Sequence, residues 1–344
     1  MPKKAFALIF ITIIASLLLA ACQPSSAISE IECSKAEVLC VGLVTDLDGI
    51  NDHSINQLAW AGAQQAQAEK IVGWVKYIET VDAKDYYQNI SSLAADGYNI
   101  IVTVGEKNSE ITSLAANNYP EILFIGVDQN YSETRPNLTG LIFQNDQTGF
   151  LAGALAAQVT KTGVIAGVFG TDSDPTIVQY KEGYEAGARY INPNINVITT
   201  YHPGDKDAAI TDAEWGATST SYVIQSGADV IFSAGGKVSN GALLEAARHS
   251  GLYCIGVNYD QWETFPEAHS CLLSSVMRQV TQGVFEILKL AKEANFPSGN
   301  YIGGSGLAPY HDFENAIPQE VKEQITKIAG GLASKTITTG VISP

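Results

Sequence analysis

Along most of the chain, short apolar runs alternate with stretches whose apolar positions recur at helical spacing. The runs at 38–45, 71–78, 100–104, 122–127 and 138–143 are rich in Val, Ile and Phe, and read as strands. A second set follows at 164–169, 196–201, 230–233 and 253–257. Amphipathic segments such as 54–69, 147–160 and 239–249 separate them and read as helices. Strand and helix in alternation at this spacing predict an α/β protein, with parallel sheets covered on both faces.

An internal repeat divides that pattern in two. The stretch GYNIIVTVG (97–105) returns as GADVIFSAG (227–235), and FIGVDQ (124–129) returns within CIGVNYDQ (254–261). Gly97, Gly105 and Gly126 match Gly227, Gly235 and Gly256 at one constant offset. Chance likeness between βαβ units does not readily keep three glycines in step. The chain is therefore expected to form two similar doubly wound lobes joined by a hinge: 38–143 plus 261–300, and 144–260 plus 301–344. Crossings are expected near Phe143, Asp260 and Asn300.

In such sheets ligands bind beyond the carboxyl ends of the strands. Asp46 stands at the end of the first strand, and Asp128 and Asn258 occupy matching places in the repeats. A carboxylate there, with no basic neighbour in sequence, is costly to bury unpaired. Ser54 followed by Gln57 predicts a capping box for the next helix, which would make Ser54, and with it Asn56, structural. Trp60 falls on that helix's apolar stripe and reads as core.

The first residues change the picture of where the protein works. Lys3 and Lys4 precede an uncharged apolar run, 5–21, that fits an export leader better than a membrane span. Its end, Leu19-Ala20-Ala21-Cys22, resembles a lipobox, so residues 1–21 are expected to be removed and Cys22 to carry a lipid. Residues 22–37 then form a polar tether. Localisation follows: exported, and held at the cell envelope by lipid alone. The remaining cysteines, Cys33, Cys40, Cys254 and Cys271, are compatible with two disulfides and three pairings. Cys33 with Cys40 and Cys254 with Cys271 is favoured, because each pair lies near one strand edge.

Charge and motifs remove several functions. A net charge of -16 leaves no basic face for nucleic acid or an anionic membrane surface. Neither phosphate-cradling glycine motif occurs, so no nucleotide cofactor is expected. GGSGL (303–307) lacks the last glycine of a nucleophile elbow. His53, His202, His249, His269 and His311 are scattered without ligand spacing, and no CxxC is present, so no metal is expected either. Asp46 and Asp48 could serve acid–base chemistry, but solvated loop acids are far commoner. A binding role needs none of these parts.

VTDLDGINDHSINQLAWAG, FIGVDQ, FLAG (150–153), GADVIFSAGG and GLAPYHDFENAIPQEVKEQI together resemble the basic membrane lipoproteins. These are substrate-binding lipoproteins of ABC importers with the type I periplasmic-binding-protein fold. The resemblance runs from about residue 38 to 328, and its most specific part is the closing segment 306–325. It implies a purine nucleoside or base as ligand and an ABC permease as partner. It also implies base contacts from Asp46 and Asp128, with Asn51 beside them, an aromatic sandwich, and an Asp–Lys pair on the ribose.

Three positions depart from that pattern. Ile55 stands where a stacking ring is expected, which forfeits about 0.5–1.5 kcal/mol of aromatic contact. Asn258 replaces the ribose acid and Arg278 the lysine. Asn swaps one acceptor for a donor, and Arg presents a planar fork suited to a carboxylate or an in-plane acceptor pair. Tyr180, Tyr201, Trp215 and Trp262 are candidates for a replacement ring. The expected function is a lipid-anchored solute receptor that closes by hinge motion. The rivals are a sensor lipoprotein that reports ligand occupancy to a membrane receptor, a receptor for a non-purine solute, and a hydrolase on the same scaffold.

Overall fold

The computed structural model describes residues 30–35, 38–52 and 54–342. The expected leader 1–21, the expected lipidation position Cys22, much of the expected tether and His53 lie outside the described residues. Among the described residues, no helix is long and apolar enough to cross a membrane.

Among the described residues, twelve strands build two sheets. In chain order they are β1 (Cys40–Val44), β2 (Trp74–Ile78), β3 (Ile100–Val104), β4 (Leu123–Val127), β5 (Leu138–Phe143) and β6 (Val164–Phe169). Then follow β7 (Asn196–Tyr201), β8 (Val230–Ala234), β9 (Tyr253–Asn258), β10 (Leu272–Arg278), β11 (Gly299–Gly303) and β12 (Ser305–Leu307). The first sheet runs β11-β5-β4-β3-β1-β2, the second β12-β10-β9-β8-β6-β7. All pairings between these strands are parallel except β10 with β12. Central strands β1, β3 and β8 are buried along their whole length, as a sheet covered on both faces requires, whereas edge strand β2 is half-buried.

Packing decides where the chain changes lobe. Val41, Leu43, Val102 and Ile125 are fully buried against Ala59 and Ala63 of helix Ile55–Ala68 and Val284, Ile287 and Leu288 of helix Val280–Lys292. Each Val, Leu or Ile among them contributes about 1.5–3 kcal/mol. Helix Val280–Lys292 thus belongs with the first sheet, while β10, immediately before it, hydrogen-bonds in the second. The crossing expected near Asp260 therefore falls after Arg278, because 272–278 is a strand of the second sheet. The third crossing falls at Gly304, between β11 and β12, a little beyond Asn300. The first lies just after Phe143, where β5 hands over to helix Asn145–Val159.

In the second lobe, helices Asn145–Val159 and Pro175–Ile191 cross at backbone contact. A Cβ on Gly149 would stand 2.2 Å from the Tyr180 carbonyl oxygen, and one on Gly153 1.9 Å from that of Tyr184. The FLAG segment is thus a helix crossing, and it sets the position of Tyr180. Disulfides join Cys33 to Cys40 and Cys254 to Cys271.

Candidate functional site

In each lobe the first strand of the run is flanked by the second and third, so strand order reverses between β1 and β3 and between β6 and β8. Crevices at such reversals, beyond the strand ends, are where doubly wound sheets hold ligands. A cavity of about 640 Å³ lies there between the lobes. The second reversal supplies Gly170, Thr171, Ala234 and Gly235 to its wall. Gly235 has φ +133, and a side chain on it would meet the Gly170 amide nitrogen at 2.6 Å, so only glycine lets the two strand ends approach. The first lobe supplies Glu106, Asp128, Asn130, Ile142 and Phe143.

Asp128 follows β4 and Asn258 ends β9, and both adopt left-handed backbone, with φ 58 and 74. Asp and Asn tolerate that conformation better than most residues. The repeat therefore conserves a backbone device as well as a position: each lobe turns a short polar side chain into the cleft at the same place. The Asp128 amide donates to the Leu141 carbonyl at 2.9 Å, which pins the turn.

An ion pair spans the lobes. Arg278 Nη1, at the end of β10, lies 2.5 Å from Asp128 Oδ2, and the two side chains are only 18% and 26% exposed. The guanidinium also sits over the Phe143 ring at 5.5 Å, within cation–π range. Burial opposes its charge, but Asp128 and then Tyr180 together more than offset that, so Arg278 stays above its ordinary pKa. Its Nε is buried with no hydrogen-bond partner among the described residues. An unsatisfied donor of this kind costs about 1–3 kcal/mol.

Tyr180 completes this wall. Its hydroxyl donates to Asn258 Oδ1 at 2.8 Å. Burial pushes the phenol up to about 12, so it stays a neutral donor. Beside it, Lys206 lies 2.9 Å from Asp174, whose other oxygen accepts from the Thr176 amide and caps helix Pro175–Ile191.

The loop after β1 behaves differently. Asn56, fully buried, donates through Nδ2 to Asp46 Oδ1 at 2.7 Å and to Asp52 Oδ2 at 2.9 Å. The Asp48 amide donates to Asp46 Oδ1. Asp52 also accepts from the amides of Ser54, Asn56 and Gln57. The Ser54–Gln57 capping box does not form, because the Asp52 carboxylate two residues earlier satisfies those amides first. Asp46 sits beside Gly105, next to the wall residue Glu106, but does not itself line the cavity. Asn51 is exposed in the turn, and Ile55 is half-buried against the first lobe's core.

Of the six ligand positions expected from sequence, the structure therefore brings Asp128, Asn258 and Arg278 together at the cavity and leaves Asp46, Asn51 and Ile55 off its wall. Of the four candidate rings, Tyr180 lines it. Tyr201 packs toward Phe169, Trp215 against His202, and Trp262 lies between His269 and His311. Each described histidine has a bonded partner: His202 with Asp212, His249 with Glu245, His269 with the Trp262 carbonyl, and His311 with Asp260. No cluster able to hold a metal ion occurs among the described residues. Sequence reading missed Phe143, Glu106 and Lys206; the first two closely follow or end strands β5 and β3, a signal that was there to use.

Two doubly wound lobes closing on a polar cavity at their strand ends define a bilobed solute receptor. The chain belongs to the Bmp family, the PnrA-like ABC transporter substrate-binding proteins, whose profile matches residues 40–303. The ABC transporter nucleoside-binding protein BmpA of Lactococcus lactis subsp. cremoris is 30% identical over 98% of this chain and 99% of its own. The CD4+ T-cell-stimulating antigen of Listeria monocytogenes is 29% identical over 96% and 98%. Among solved structures, a solute-binding protein of Conexibacter woesei superposes with TM-score 0.70 at 17% identity, covering 89% of this chain and 99% of its own. One from Aeropyrum pernix K1 gives 0.62 at 21%, covering 89% and 94%. Membership makes the chain a binding protein, not an enzyme, working with a membrane permease on a small molecule outside the cytoplasm.

Proposed function

We propose that this chain is the lipid-anchored receptor of an ABC importer for a purine nucleoside or nucleobase. Cys22 carries the anchor, and the lobes close on the ligand by rotation about the three crossings after Phe143, after Arg278 and at Gly304. The observation that carries this reading is the pairing of an end-to-end nucleoside-binding relative with an inter-lobe cavity of about 640 Å³ walled by Asp128. That volume suits a ligand of nucleoside size. In this reading Asp128 takes a ligand donor from the first lobe, Asn258 and Arg278 hold it from the second, and Tyr180 and Phe143 supply apolar surface. Asp46, with Asn51 and Ile55, reaches the ligand only in a different lobe arrangement.

Thermal unfolding of the chain lacking residues 1–22, scanned against adenosine, guanosine, inosine and the free bases, tests the ligand class. A ligand at 100 times its Kd adds about 2.7 kcal/mol, a shift of several degrees. No shift with any purine, together with a non-purine in the mass spectrum of what co-purifies, would remove the purine assignment. Intact mass of the membrane-extracted protein tests the anchor: an unlipidated N-terminus other than Cys22 sinks it.

A further inference from the structure

The part of the cavity wall that the second lobe contributes carries two carboxylates, Asp146 and Asp174. Asp174 has both oxygens engaged: one accepts from the Thr176 amide at 3.0 Å, and the other meets Lys206 at 2.9 Å. Gln144, Gln179 and Asn258 each have their one side-chain acceptor taken, by Gln147, Asn145 and Tyr180 in turn. Asp146 is different. It is 6% exposed, its Oδ2 accepts from the Thr339 hydroxyl, and its Oδ1 has no hydrogen-bond partner among the described residues. A carboxylate offers about four lone-pair sites, so the bond from Thr339 leaves most of them open.

Asp146 stands in the first turn of helix Asn145–Val159, just past the first crossing. A Cβ on Gly183 would meet the Asp146 carbonyl oxygen at 2.0 Å, so this turn is locked against helix Pro175–Ile191, which carries Tyr180. A first-turn carboxylate is favoured by the helix dipole, but it gains that equally well in solvent. Buried at a cavity, with no cation paired to it among the described residues, it costs free energy that a ligand bringing donors would offset. Thr339 reaches it from the segment after helix Gln319–Ala333.

Hydroxyls on adjacent carbons present two O–H groups side by side, and the paired oxygens of one carboxylate accept both. An amide, with a single oxygen, does not. We propose that Asp146 is the second lobe's acceptor for a vicinal diol on the ligand, with Thr339 as the positioning residue that fixes the plane of its carboxylate. In a nucleoside that diol is the ribose 2′,3′ pair. The choice of a nucleoside rests on the function proposed above; the open acceptor does not. A free pentose presents the same diol and is the second source of this chemistry.

Calorimetric titration of the full-length chain in detergent tests the contact. The probes are adenosine, guanosine and inosine, their 2′-deoxy forms, the free bases and D-ribose. Each ribonucleoside should bind about tenfold tighter than its 2′-deoxy form, which lacks one hydrogen bond to a charged acceptor. In Asp146→Asn that preference should vanish, and affinity for the free bases should fall far less than affinity for the ribonucleosides. Thr339→Val should lower the preference partway and Thr339→Ser should restore it, a readout that also serves if Asp146→Asn folds poorly. A preference unmoved by Thr339→Val overturns the positioning role. A preference absent from the unaltered chain or surviving in Asp146→Asn, or an equal loss across nucleosides and bases, overturns the diol contact and leaves the purine reading standing. D-ribose binding that Asp146→Asn abolishes, with silence from every purine, upholds the contact and ends the purine reading. D-ribose binding that the variant leaves untouched, with the purines silent, overturns both, as does silence from the whole panel.

Discussion

The two lobes are built on one plan and finished differently. Gly97, Gly105 and Asp128 in the first lobe, and Gly227, Gly235 and Asn258 in the second, all take left-handed backbone at matching positions. In each lobe a glycine makes room for a buried glutamine: a Cβ on Gly126 would stand 2.4 Å from Gln129 Oε1, and one on Gly256 the same distance from Gln261 Oε1. The divergence lies in the loops those turns support. After β1, Asp46, Asn56 and Asp52 spend their hydrogen bonds on one another. After β6, by contrast, Gly170, Thr171 and Asp174 face the cavity. A shared backbone places the cavity, and the unshared side chains decide what each half presents to it.

The helix pairs that buttress each lobe give the largest way to break this comparison. In the first lobe, helices Ile55–Ala68 and Val280–Lys292 meet at Gly62, where a Cβ would stand 2.5 Å from the Thr281 carbonyl oxygen. In the second, Gly153 leaves only 1.9 Å. Backbone cannot yield as a side-chain tip can. Gly153→Ala is expected to cost about 3 kcal/mol and Gly62→Ala about 2 kcal/mol, read from urea unfolding. Equal losses would mean that the second lobe's crossing is no tighter in solution.

The disulfides make a smaller contrast. Cys254–Cys271 closes a separation of 17 residues and Cys33–Cys40 one of 7. Loop-closure entropy then favours the second-lobe bridge, about 3 kcal/mol against about 2 kcal/mol. Paired Cys→Ala variants measured by thermal unfolding test the order. A larger loss from Cys33 and Cys40 would show that the bridge matters by holding 30–35 onto the first sheet, rather than by restricting the unfolded chain.

Between the lobes, Arg278 and Asp128 are less than a third exposed, so their coupling should survive solvent screening at about 1–2 kcal/mol. A double-mutant cycle with Arg278→Gln and Asp128→Asn, in ligand-free protein, measures it. Asn keeps the left-handed turn at 128 tolerable, which isolates charge from backbone. Coupling near zero would mean that the lobes stand apart when empty.

What could be read from the chain alone follows from what is periodic. The nine strands rich in Val, Ile and Phe were legible, and so were Asp128 and Asn258, because both are tied to strand ends. β10 was not, since Ser274 and Ser275 interrupt its apolar run. Both are buried, one donating to the Ala308 carbonyl and the other accepting from the Gln261 amide. Missing that strand misplaced the second crossing. The Ser54 cap was misjudged because motif spacing says nothing about a competing carboxylate two residues earlier. Tyr180 could be offered only as one ring in four, and Lys206 not at all. What sets them at the cavity is a helix crossing and a loop, and no local pattern records either.

The smallest contrast is electrostatic. Glu245 in the second lobe accepts from Ser221 at 2.6 Å and pairs with His249 and Arg248, and the Ser221 bond leads in holding its carboxyl below the ordinary 4.5. Glu30 in the first lobe is lowered chiefly by Lys76, then Tyr98, but is far more exposed. A carboxyl whose folded pKa is depressed stabilises fully above its unfolded value and loses that contribution as pH falls through the folded one. Glu245→Gln should therefore cost a few tenths to about 1 kcal/mol at neutral pH. The gap from the unaltered chain should close progressively below about pH 4.5, the value from which the shift is measured. Glu30→Gln should show the same sign and a smaller gap. If the Glu245 gap persisted unchanged in acid, the loss would come from the uncharged hydrogen bond to Ser221, and the second lobe's advantage would be one of packing rather than charge.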